Sequence, residues 1–357
     1  MPTAINNGTF TFSKEELKDW SKVIHALTWD NPELSALHAI DTGIQHNMQI
    51  VFANYSGLLG KKVTGCTPNE IEGILLSEKM WTPVYEDFRL KHCSADVNQQ
   101  DKLINQMSKM NPDFYNLIEG TQKTIGDYLV AAILERFKEN LIRKVWLNDT
   151  AALTIAGGGN LKNGTDIGYF NTFNGFYKQI FTEIPSTASN YVAITENAGV
   201  TAAAQELATG RATAILKSMI AKADSRLLAN PSAKIYATRA IFDGYLNDLE
   251  ATQNNGAGNT SINENGQLQL RYRGIEIINM SIVSRDLQAY FNNGTVTFRP
   301  HRVVLSTPEN LRIGTLATED FGTVDAFYDR TLKTNFIDGV YTIDAKHMES
   351  YLTVAAY

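Results

Sequence analysis

The chain is short of cysteine, of basic charge and of long apolar runs, and each shortage closes off a class of protein. Two cysteines, Cys66 and Cys93, in 357 residues cannot frame a disulfide scaffold. Lys and Arg total 32 against 38 Asp and Glu, a formal net charge of −6. Tight nucleic-acid binding draws on a basic surplus that neutralises phosphate, so any contact with DNA is expected to be weak, local and indifferent to sequence. No stretch reaches the roughly 18 apolar residues of a membrane helix. Met1-Pro2-Thr3-Ala4-Ile5-Asn6-Asn7 has neither the basic start nor the apolar run of a secretion signal. Synthesis in a cytoplasm is the expectation, and the triplets at Asn7, Asn163 and Asn293 read as Asn-Gly turns rather than glycan acceptors.

Catalytic patterns are also missing. Gly157-Gly158-Gly159 lacks the Lys-Ser/Thr of a phosphate-cradling loop and follows a helix where such a loop follows a strand, so it reads as a helix-terminating turn. There is no Gly-X-Ser-X-Gly elbow and no His-Glu-X-X-His helix. Cys66, His92 and Cys93, even with His38 and His46, do not form the closely spaced ligand pairs of a zinc site. Neither metal nor cofactor is expected. A soluble α/β enzyme using His92 or His301 stands as an alternative of a different class.

What is present suits a folded α+β chain. Hydrophobic residues make up 43% and charged residues 20%, enough for a core and for two structural regions. Ser13-Lys14-Glu15-Glu16 forms a capping box ahead of Leu17, Trp20, Val23, Ile24 and Leu27 at helical spacing. After Asn31-Pro32 a short helix is expected from Glu33 to about Ile40. Ile50-Val51-Phe52-Ala53 and the stretch from Met80 to Leu90 read as two strands joined by a glycine-studded excursion, with Pro83 marking an edge. Such a hairpin cannot bury both faces alone and is marginal in water. The spacing of Leu129, Ile133, Phe137, Leu141 and Val145 predicts a long helix over Thr121–Leu147, a rod of about 40 Å, with Glu139 and Arg143 placed for a helical ion pair. Helices are expected over Thr201–Ala223 and Ile241–Leu249, and strands over Lys234–Thr238, Leu268–Tyr272, Ile275–Ile278, Thr295–Leu305, Val324–Arg330 and Val340–Val354. Gln253–Gln267 is polar and glycine-rich, the composition of a mobile surface loop. Tyr169, Phe170, Phe173, Phe176, Tyr177 and Phe181 read as core, since only Lys178 interleaves with them.

The order of these elements resembles the major capsid proteins of tailed phages (Caudoviricetes), the Hong Kong 97-type fold that encapsulins share. Lys234-Ile235-Tyr236-Ala237-Thr238-Arg239-Ala240-Ile241-Phe242-Asp243 is similar to that family's strand running into a helix across the axial domain. Arg271-Tyr272-Arg273-Gly274-Ile275-Glu276-Ile277-Ile278 resembles the segment that follows. Pro308-Glu309-Asn310-Leu311-Arg312-Ile313-Gly314-Thr315 resembles the return into the peripheral domain. Trp81-Thr82-Pro83 and Gly65-Cys66-Thr67-Pro68 are similar to capsid proteins of phages infecting Bacteroidota. The resemblance implies an amino-terminal arm at 1–48, an extended loop (a β-hairpin) at 49–95, and a peripheral domain at 96–190 with the spine helix at 121–147. It further implies an axial domain at 191–306 and peripheral return strands at 307–357.

By the same resemblance the chain is a structural virion protein without enzymatic activity, assembled in the host cytoplasm as hexamers and pentamers of an icosahedral shell. Its implied partners are portal and scaffolding proteins, decoration or head-to-tail proteins, and packaged double-stranded DNA in non-specific contact; no membrane is involved. An encapsulin-like cargo shell is the alternative within the fold. Lys61, Lys62 and Trp81 are the candidate intersubunit contacts, with solvated loop lysines as the plainer reading of the first two. Cys66 and Cys93 are a candidate disulfide across the hairpin, because a virion leaves the reducing cytoplasm. The arm begins almost at once, so no cleaved propeptide is expected.

Overall fold

The structure, a computed structural model, describes residues 32–55, 74–93, 125–251, 260–262, 268–317, 323–332 and 334–357, with positions 18, 21, 22 and 29. In chain order the labelled elements are α1 (Pro32–Leu37), β1 (Ala39–Thr42), β2 (Gln49–Tyr55), β3 (Ile74–Met80), β4 (Val84–Cys93), α2 (Ile125–Leu147), α3 (Phe176–Glu183), β5 (Tyr191–Val192), α4 (Arg211–Lys222), β6 (Lys234–Ala237), α5 (Arg239–Ala251), β7 (Thr260–Ile262), β8 (Leu268–Tyr272), β9 (Ile275–Asn279), α6 (Ser281–Tyr290), β10 (Val303–Ser306), β11 (Leu311–Thr315), β12 (Thr323–Asp329), β13 (Thr334–His347) and β14 (Val354–Ala356). Among the described residues helices and strands do not alternate regularly as βαβ units, which is the α+β arrangement.

One sheet runs β5-β14-β10-β6-β9-β8-β7. Its central strands are apolar on both faces, and the two-residue period of a strand sends alternate side chains to opposite sides. Tyr236, Val304 and Ala355 enter a core shared with α2 and α3. Ile235, Ala237, Val303, Leu305, Val354 and Ala356 enter a second core with α4 and α5. The sheet is therefore a wall between two cores. A second sheet runs β1-β11-β13-β12, with β4 also paired along β13 from Val84↔Ile343 to Cys93↔Thr334. β2 and β3 form a separate two-stranded sheet.

Helix α2 buries Phe137, Leu141 and Val145 at four-residue spacing, together with Trp146. It ends where Asn148 turns its amide onto the Thr172 hydroxyl at 2.7 Å. Gly175 packs so closely there that a Cβ would stand 2.8 Å from the Val145 carbonyl oxygen. The expected start at Thr121 falls outside the described residues. The helical pair between Glu139 and Arg143 does not form. Glu139 pairs with Arg285, and Arg143 pairs with the buried Asp286, both on α6. Satisfying a buried carboxylate outweighs an exposed i,i+4 pair, worth only a few tenths of a kcal/mol.

Several other expectations are corrected. The strand expected from Met80 to Leu90 is broken at Trp81-Thr82-Pro83, so β2 pairs with β3 instead, and β4 pairs with β13 about 250 residues on. Pro83 lies between strands, where no ladder bond is asked of it. The helix expected from Glu33 to about Ile40 ends at Leu37, and Ala39–Thr42 form β1, parallel to β11. The helix expected over 201–223 begins only at Arg211, because Gly210 takes a left-handed conformation (φ 81°) and Asp248 of α5 caps the start. Asp248 accepts from the Gly210 amide at 2.5 Å and from the Thr213 hydroxyl at 2.7 Å. The strand expected over 295–305 shrinks to β10, since Asn293 accepts from the amides of Thr295 and Val296 to make a turn. Thr260–Ile262, inside the expected loop, is a strand paired with β8. Val354–Ala356 joins the seven-stranded sheet rather than the sheet that holds β13.

Two buried polar groups brace the α2 core. Glu86 on β4 accepts from Lys144 Nζ at 2.6 Å, from the Thr172 hydroxyl at 2.7 Å and from the Tyr341 hydroxyl. Burial first, and then the Glu86 charge, hold the Tyr341 phenol far above its ordinary range. Removing one ion of such a pair leaves the other uncompensated, so Lys144→Met should cost about 3–5 kcal/mol in denaturant unfolding, and the double variant Glu86→Met/Lys144→Met should recover much of that loss. His38, fully buried, accepts from Trp146 Nε1 at 3.2 Å and lies between the rings of Phe176 and Tyr236. Burial pushes its pKa from 6.5 to about 3. The unfolded chain binds the proton first, so this contribution is complete above pH 6.5 and is lost as pH falls towards 3. Between pH 6.5 and 4.5 the loss approaches about 2–3 kcal/mol. His38→Gln, which keeps an acceptor and does not titrate, should flatten the stability–pH curve over that range.

Candidate assembly surfaces

The β2–β3 hairpin runs from Gln49↔Met80 at its base to Tyr55↔Ile74, with no third strand beside it among the described residues. Its base is firmly held. The Asn47 amide donates to the Trp81 carbonyl at 2.8 Å, and the Trp81 amide to the Met48 carbonyl at 3.0 Å. Asn47 supplies the left-handed turn (φ 61°), a conformation Asn tolerates well. Trp81 is 2% exposed and packs with Ile44 and Met348. It lies over Gly314, where a Cβ would come within 2.7 Å of both Trp81 and Ile44. The Thr82 amide donates to Asp344 at 2.7 Å, and Lys79 reaches Glu183 and the His347 carbonyl. Trp81, a candidate intersubunit contact from its sequence position, thus makes its contacts inside the chain: it latches the hairpin.

At and just beyond the latch the hairpin exposes apolar area. Val51 is 59% exposed and Met80 45%, while Tyr85 on the adjoining β4 is 70% exposed. On the β4–β13–β12 ribbon, Arg89 holds Asp338 with two bonds of 2.7 and 2.5 Å and lies over the rings of Phe327 and Phe336. Lys61, Lys62 and Cys66 lie outside the described residues, as does the side chain of Cys93, so the candidate disulfide falls there too.

Among the histidines weighed as chemistry, His301 takes a structural place. His301 is buried against the Gln205 carbonyl oxygen at 2.5 Å, and burial lowers its pKa. His46 is exposed in the turn before β2, and His92 stands opposite Asn335 on β4. No group of three metal-ligating side chains occurs among the described residues. Sequence reading missed His347. Its Nδ1 meets Glu183 at 2.7 Å and its Nε2 meets the Thr353 hydroxyl at 2.8 Å, an acid–histidine–hydroxyl order. Thr353 and His347 are fully buried, and the same hydroxyl meets Asn310 and Ser306, each at 2.9 Å. The network staples β13, α3 and the approach to β14. Its members are scattered from 183 to 353, and no local signal links them.

No family model matches the chain, and no curated protein matches it. Solved structures do. A chain of the satellite phage P4 procapsid, in a structure including the size determination protein, superposes with a TM-score of 0.50 at 10% identity, over 89% of this chain and 92% of that one. The capsid of an empty GTA particle gives 0.49 at 8% identity, over 90% and 88%, and Mycobacterium phage Ogopogo 0.46 at 9%, over 90% of each. The first likeness shows the fold: the chain has the Hong Kong 97-type α+β fold that the order of its elements resembles.

The latch yields a direct test. Trp81→Ala should cost about 3–5 kcal/mol and raise amide exchange in 49–55 and 74–80 well before α2 is affected. Unchanged exchange in the hairpin would show that Trp81 does not hold it.

Proposed function

We propose that this chain is the major capsid protein of a tailed phage, a structural and non-enzymatic protein that builds an icosahedral shell from hexamers and pentamers in the host cytoplasm and persists in the virion. The observation that carries the reading is the β2–β3 hairpin. It is latched at its base, has no flanking strand among the described residues and exposes Val51 and Met80. A pair of strands does not sustain itself in water, and a neighbouring copy supplies the missing cover. The procapsid chain with the same fold supports this by analogy of architecture. Interfaces of obligate assemblies exceed about 2,000 Å², and closed symmetry repeats each contact around the shell.

In this reading residues 1–48 are the arm, 49–95 the extended loop, 96–190 and 307–357 the peripheral domain, and 191–306 the axial domain. The β2–β3 hairpin is the part of 49–95 that reaches outward, while β4 returns to the chain's own sheet. Lys61 and Lys62 would act at the far end of the excursion, against a neighbour. Portal, scaffolding and decoration proteins would be the further partners. The net charge of −6 suits a wall that encloses DNA without adhering to it. Nothing in these features favours an encapsulin-like cargo shell or an enzyme.

Removing residues 57–79 deletes most of β3 and strips β2 of its partner. The shortened chain should stay soluble and folded by circular dichroism, yet sediment as small species under conditions where the full chain sediments as shells. Normal particles from it would overturn the hairpin's role.

A further inference from the structure

Arg299 and Arg302 stand on a cleft of about 910 Å³ between α3, the 292–299 turn and the segment that carries Ala198 and Gln205. Arg302 is 3% exposed. Its Nε donates to the Arg299 carbonyl at 2.9 Å and its Nη2 to the Phe298 carbonyl at 3.1 Å, and its guanidinium lies 4.7 Å from the centre of the Tyr177 ring. Arg299 lies over Phe181 at 5.0 Å and Tyr357 at 4.7 Å. Among the described residues neither guanidinium has a carboxylate within ion-pair distance. Asp149, the acid on the lining, is taken by Lys178 at 2.9 Å. Arg302 is a buried cation held on aromatic rings and carbonyls without an acid, an uncompensated cost, since a buried charge is normally paired; the half-buried Arg299 beside it adds a second positive charge.

Three further observations point to a ligand. The Tyr177 hydroxyl, on the cleft lining, is buried with no hydrogen-bond partner among the described residues. Burial raises its pKa to about 12, so it is a proton donor at neutral pH. Arg299 adopts φ 45°, a left-handed conformation that costs a non-glycine residue energy and that tends to persist where a site needs it. The walls are also fixed in advance. Gln205 and Thr297 exchange two bonds of 2.8 and 3.0 Å, and Asn197 and His301 exchange two of 2.7 and 3.0 Å.

We infer that this cleft is an oxyanion-binding site: Arg299 and Arg302 take a carboxylate or phosphate, Tyr177 donates to it, and Phe181, Phe298 and Tyr357 accept an apolar body attached to it. Cation–π contact orients the guanidinium groups, and charge-assisted bonds to the anion supply the missing compensation. The oxyanion can belong to a free small molecule or to an Asp or Glu side chain of a second copy. The site itself does not rest on the shell reading; only the second source does.

The test is thermal melting of the full-length unassembled chain with phenyl phosphate, ionic strength being held constant with chloride. The expected result is a saturable rise in melting temperature. Affinity should fall about tenfold in Arg299→Gln and about threefold in Tyr177→Phe, and binding should be lost in Arg302→Met. Arg299→Gln and Tyr177→Phe keep the test valid if Arg302→Met does not fold. Absence of a saturable response in the unaltered chain, or an unaltered response in Arg299→Gln and Tyr177→Phe, overturns the site. Repeating the titration on assembled particles separates the sources: retained binding assigns the site to a free anion, and binding blocked only on assembly assigns it to a neighbour's carboxylate.

Discussion

The carboxylate of Glu86 is the point on which the architecture turns. It is buried on β4, the strand that follows the hairpin, and it gathers Lys144 from the end of α2, Thr172 from the turn before α3 and Tyr341 from β13. Leaving such a charge unpaired costs several kcal/mol, so these segments cannot drift independently of one another. The Trp81 latch lies a few residues from Glu86 along the chain. The hairpin therefore springs from a braced root.

The seven-stranded sheet applies a related constraint by period alone. Because side chains alternate, β6, β10 and β14 serve two cores at once, one built on α2 and α3 and the other on α4 and α5. A one-residue slip in any of them would exchange the two sets of side chains. The small Ala237, Ala355 and Ala356 keep that wall thin, while Tyr236 reaches through to donate to the Leu37 carbonyl. In this way the two regions share a boundary that neither can shed.

What was legible in the sequence was local. The four-residue spacing of Phe137, Leu141 and Val145 gave the long helix its buried face, the apolar run at 234–237 marked a strand buried on both sides, and the aromatic group at 169–181 is core as its lack of interleaved charge suggested. What was not legible depended on distant partners. Val84–Cys93 finds its strand 250 residues away, Glu139 and Arg143 abandon each other for α6, and Asp248 sets the start of α4 from another helix. Trp81 read as a surface contact because nothing nearby in sequence announces Ile44, Gly314 and Met348 around it. The His347 network and the Arg299–Arg302 cleft were invisible for the same reason: each is assembled by folding from residues that carry no mutual spacing.

The fold, the latched hairpin and its exposed apolar residues support the proposed role in assembly, with the long antiparallel ribbon and α2 as the frame behind the hairpin. That claim is tested most directly by negative-stain electron microscopy of the purified full-length chain under assembly conditions. Closed shells of uniform size are the expected result. A monodisperse small oligomer, with no shells across salt, pH and protein concentration, would contradict it.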